Sequence, residues 1–144
     1  MSTDAQIEQE IQAKGKTAAR ITPADIEANI ADEVYFTAAD GYKGQSGFDP
    51  QGRINGLPLS LLTFCVLVLR NGFTVTGESA CASPENFDAE IGKKIARQNA
   101  VQKIWPLMGY ELRSKLAAKA AHDDDFPLGK ACDLSGEGTC EACQ

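Results

Sequence analysis

The sequence predicts an α+β fold, with an antiparallel β-hairpin or small sheet packed against helices and a surface that forms oligomers. Residues 64–79 alternate in a strand period on either side of Asn71-Gly72, the strongest short-range hairpin signal. Directly behind them, Ser83-Pro84 opens a segment with helical periodicity. A length of 144 residues supports one hydrophobic core and not two comfortable ones.

Taken in order, residues 1–21 read as a flexible N-terminal arm. They are polar, with Ile7 and Ile11 four apart and Gly15 behind, which suits a frayed helix or disorder. The main domain is expected over residues 22–121. It starts at Thr22-Pro23, a capping hydroxyl followed by a proline suited to the first helical position. Ile26, Ile30 and Val34 fall on one helical face, so a helix is predicted over 23–37. Residues 40–58 contain five glycines and two prolines and read as a long loop.

A two-residue turn at Asn71-Gly72 sets Arg70 opposite Phe73, Val68 opposite Val75 and Phe64 opposite Ser79. Phe64, Val66, Val68, Phe73 and Val75 then form the core face. Cys65, Leu67, Leu69, Thr74, Thr76 and Glu78 form the other. A lone hairpin is marginal, and few further strands are in view, so a second subunit is the expected cover.

The helix that follows is predicted to use Ile91, Ile95, Val101, Ile104 and Trp105 against the hairpin. Pro106 is expected to interrupt it, with a second segment to 120. Gly92, Ala96, Asn99 and Lys103 share another face. They suit either the close approach of a second helix or a shallow anion pocket. Residues 122–144 read as a disordered acidic tail.

The charge follows this division. The tail carries six acids and one lysine, so most of the net charge of -6 belongs to it and the body is near neutral. Such a body lacks the basic surface that duplex nucleic acid binding needs. No apolar run is long enough to span a bilayer, and no secretory signal is visible, which points to a cytoplasmic protein.

Candidate chemistry is sparse. His122 beside three aspartates has no positioned partner to act as a base on. With Cys132, Cys140 and Cys143 it supplies one weak zinc-like spacing, so no metal or other cofactor is expected. The junction at 83–87 offers free amides that can hold an anion, though Glu85 already occupies that field. Asn86 and Phe87 suit a base-containing ligand through an amide and a stacking ring. No enzyme activity is predicted.

The segments NGFTVTGESAC (71–81), SPENFDAEIGKKIA (83–96) and KIWPLMGY (103–110) resemble a widespread family of small tailed-phage proteins. That family looks like the one containing the first type of Thoeris anti-defence protein. The resemblance implies a homo-oligomer, from dimers to hexamers, in the host bacterial cytoplasm. Its members are sponges: they bind cyclic ADP-ribose-type signals without cleaving them, and some also hold cyclic trinucleotides. Carried onto this chain, it implies ligand contacts at Asn86, Phe87, Arg97, Asn99 and Lys103, with the ring stacking on adenine and the cations meeting pyrophosphate. The alternative is a module that binds a host or phage protein, and an enzyme cutting such nucleotides comes third.

Overall fold

A computed structural model of the chain describes residues 3–46 and 57–123. The chain divides into two units, residues 1–112 and 113–144. The described part of the second unit is the end of one helix. The elements are α1 (Asp4–Ala13), α2 (Pro23–Asn29), β1 (Ile30–Thr37), α3 (Ala38–Ser46), α4 (Leu57–Ser60), β2 (Leu62–Leu69), β3 (Thr74–Ala80) and α5 (Ala89–Asp123). The three strands form one antiparallel sheet in the order β1-β2-β3, which confirms the α+β prediction.

α2 begins where the sequence indicated. Thr22 accepts from the Asp25 amide at 3.2 Å, and Asp25 accepts from the Thr22 amide at 2.8 Å. The two bonds close a capping box ahead of Pro23. The helix ends at Asn29, however, and residues 30–37 form a strand instead of the predicted helical extension. Ile26, Ile30 and Val34 do fit a helical spacing. The run Val34-Tyr35-Phe36-Thr37 is β-branched and aromatic throughout, and it prefers a pleated surface. β1 is therefore the third strand, and the cover expected from a second subunit comes partly from the same chain.

The hairpin forms with a three-residue connection. The Leu69 amide donates to the Phe73 carbonyl and the Gly72 amide to the Leu69 carbonyl, both at 2.8 Å. Gly72 has a φ of 84°, and Asn71 is not in the left-handed region. Leu67 thus faces Val75 and Phe64 faces Glu78, one residue away from the predicted pairing. A slip of one residue exchanges the faces of a strand. Cys65, Leu67 and Leu69 of β2 are buried with Val75, whereas Phe64, Val66 and Val68 stand on the opposite face. Phe73 is more than half exposed.

α5 covers the core face with Ala96, Ala100 and Ile104, each fully buried. Gly77 makes this contact unusually close, since a Cβ there would lie 2.1 Å from the Ala96 carbonyl oxygen. The close approach of a second helix expected at Gly92 and Ala96 is not found; Ala96 packs on the sheet at Gly77, and Gly92 lies over Thr63. Ile91 and Ile95 do not join the core, as predicted, but lie exposed. Helical pitch explains this: they fall on the flank of the stripe that the small residues define. α5 also runs through Pro106 without a break. The proline removes only the bond to the Gln102 carbonyl, at a position where both residues face solvent.

The helix begins later than Ser83. Asp88 caps it, accepting from the Ile91 amide at 2.9 Å, while residues 84–86 make a single tight 3-10 turn. The predicted 40–58 loop opens with α3, whose Gly41 lies beneath Phe36. Residues 47–56 and the tail from 124 lie outside the described residues. The N-terminal arm contains α1, closed by a capping box at Thr3.

Candidate functional site

The expected ligand residues fall in three places. Asn86 and Phe87 border a recess of 120 Å³ between the open end of the hairpin and the first turns of α5. Its floor exists because Gly92 carries no side chain; a Cβ there would approach Thr63 Oγ1 to 3.2 Å. Cys81 closes one wall, its thiol donating to the Ser83 carbonyl at 3.1 Å. Ile91 and Ile95 flank the mouth, 56% and 43% exposed. The recess thus has Thr63 and Gly92 below, carries one amide and one ring, and continues onto an uncovered aliphatic rim.

Acid surrounds it rather than base. Asp88 caps α5, and Ser83 donates to Glu85 at 2.7 Å, which holds that carboxyl below its usual range. An anion approaching these amides meets both carboxylates.

Arg97 is elsewhere and is already engaged. Its guanidinium holds Glu27 of α2 in a two-pronged contact at 2.7 and 3.1 Å. Its Nε donates to Glu33 of β1 at 2.8 Å. Tyr35 donates its hydroxyl to the same Glu33 carboxylate at 2.7 Å. Arg97, then Tyr35, hold the Glu33 carboxyl below its ordinary value. Burial, then Glu33, push the Tyr35 phenol up. Glu27, then Glu33, raise the Arg97 guanidinium further. The result is a clamp joining α2, β1 and α5.

Asn99 and Lys103 lie on a third surface. Two positions along a helix turn the side chain by about 200°, so Asn99 points away from Arg97. The Asn99 amide donates to the Glu78 main-chain carbonyl at 2.8 Å, and Lys103 stands 3.8 Å from the Glu78 carboxylate. Both members of that ion pair are about half exposed, so it holds little. Asn99 also borders a wide groove with Glu27, Gln102 and Trp105. Within one chain the five residues do not converge on a single pocket.

Sequence reasoning missed Glu27 and Glu33, which decide what Arg97 can do. Their role becomes legible only once residues 30–37 are recognised as a strand placing Glu33 across from α5. It also missed Ile91 and Ile95 as recess residues, because both were assigned to the face against the hairpin.

Among the described residues no cluster of three His, Cys, Asp or Glu side chains is arranged to hold a metal ion. Cys132, Cys140 and Cys143 lie outside them. No described helix is long and apolar enough to cross a membrane.

No curated protein and no solved structure matches the chain. Residues 21–116 match the phage protein (N4 Gp49/phage Sf6 gene 66) family. That span runs from the cap of α2 through the clamp, the hairpin, the recess and the body of α5. The chain belongs to the phage protein (N4 Gp49/phage Sf6 gene 66) family.

Proposed function

We propose that this phage protein sequesters cyclic ADP-ribose-type immune signals, and cyclic oligonucleotides of similar size, without cleaving them. It would thereby block Thoeris-like and related defences in the host bacterial cytoplasm. Binding alone suffices, because an abundant tight binder lowers free signal by mass action. The observation that carries this reading is the recess at Asn86 and Phe87. It presents a ring and an amide over a floor of Thr63 and Gly92, and it lies largely within the stretch that resembles the anti-defence proteins. Its 120 Å³ is too small to enclose a cyclic dinucleotide, and its rim at Ile91 and Ile95 is uncovered. A second subunit seated on that rim would complete the pocket. With Arg97 held by Glu27 and Glu33, the ligand's phosphates would be met by Lys103 or Lys93 of the neighbouring copy.

The test is calorimetric titration with cyclic ADP-ribose isomers and cyclic di- and trinucleotides, followed by denaturation and analysis of the released ligand. Binding with intact release is expected. Phe87→Ala should weaken it by about tenfold or more, the loss of one stacked ring. Silence across the panel, or release of a cleaved product, would overturn the reading.

A second reading, a module that binds a host or phage protein, is favoured by the outer sheet face. There Val34 is 46% exposed beside the half-buried Val66 and Val68. It predicts a monomer that binds no nucleotide.

A further inference from the structure

α1 has ten residues and buries none of them, and Ile7 on it is 46% exposed. Beneath the helix lies a cavity of 240 Å³, walled by Ile7, Ile11, Ile21, Pro23 and Trp105. An apolar helix docked tightly would fill such a space. Trp105 forms part of that wall, and its indole nitrogen is buried with no hydrogen-bond partner.

Polar contacts at the cavity's edge hold the helix instead. Glu8 receives both arms of the Arg20 guanidinium, one at 2.6 Å. Gln102 donates to Asp4 across a long 3.4 Å. Just beyond the helix, Gly15 has a φ of 65°, a conformation glycine adopts freely. A loosely packed helix, one two-pronged latch and a glycine pivot are the parts of a movable cover.

We infer that α1 is a strap over the Trp105 cavity, latched by the Glu8–Arg20 pair and pivoting at Gly15. Opening it exposes the Trp105 side chain that walls the cavity to solvent.

Trp105 is the only tryptophan in the chain, so tryptophan fluorescence reports the wall of this cavity. The test is acrylamide quenching of the full-length protein, its Glu8→Gln and Arg20→Gln variants, and the doubly exchanged Glu8→Arg/Arg20→Glu protein. Each single variant should raise the quenching constant by about twofold or more, as local opening becomes populated. The exchanged pair should return it toward the parent value. Added salt should raise quenching in the parent and leave Glu8→Gln unchanged, since salt weakens an ion pair near the surface. Equal quenching in all four proteins, or no recovery on exchange, would overturn the inference.

Discussion

α5 makes two contacts of opposite kind. Toward β3 it packs main chain against main chain, with Gly77 under Ala96 and Ala100 and no space left over. Toward α1 it leaves a cavity, and the two helices are held by polar groups around its rim. The first contact fixes where the helix lies, because hard cores admit no sliding. The second permits displacement at little cost. The difference teaches that a single helix can serve as both a rigid support and a landing surface. Residue size decides which: small residues face the sheet, and Trp105 with long polar side chains faces α1.

The largest effect should come from breaking the tight contact. Gly77→Ala places a Cβ into the Ala96 carbonyl and the Ala100 amide, and neither can move without shifting the helix. A loss of about 3 kcal/mol is expected, read as a lower midpoint in urea unfolding. An unchanged midpoint would show that α5 can ride outward and that the contact is not rigid.

Arg97→Ala comes next, since it removes the clamp beside that contact and leaves Glu27 and Glu33 without their shared cation. About 1–2 kcal/mol is expected, measured the same way. The pH dependence gives a second reading. Because Glu33 is depressed in the fold, its contribution is present above the ordinary carboxylate value of 4.5 and is lost as pH falls below it. Stability should therefore hold from neutral pH down to about the ordinary value of 4.5 and fall as pH drops below it in the parent, and fall less in Arg97→Ala.

The smallest effect belongs to the loose contact. Deleting residues 1–15 should move the melting temperature by about 2 °C or less, because α1 buries no residue. A larger fall, seen by circular dichroism, would place α1 within the core and erase the contrast.

Much of this organisation was legible in the residues, and its failures have physical causes. Asn-Gly announced a hairpin correctly, but the same dipeptide serves both a two-residue turn and a three-residue turn ending in a left-handed glycine. The chain uses the second, and that single residue exchanged the two faces of β2. Helical spacing of Ile26, Ile30 and Val34 hid a strand, because positions four apart also fall on alternate residues. The candidate site was legible only in part. Asn86 and Phe87 border a recess, but the partners of Arg97 lie 64 and 70 residues away in sequence. No local pattern can show that a cation is already spoken for.

The Asn99 bond to Glu78 has a wider consequence. β3 is an outer strand of the sheet, and a side-chain amide occupies one of its main-chain acceptors. An incoming extended chain would find that row of acceptors interrupted. The opposite margin, β1, carries the exposed Asp32, whose charge would repel the same residue of a second copy laid alongside. An occupied acceptor at one margin and an acidic residue at the other restrain the edge-to-edge pairing that leads to fibres.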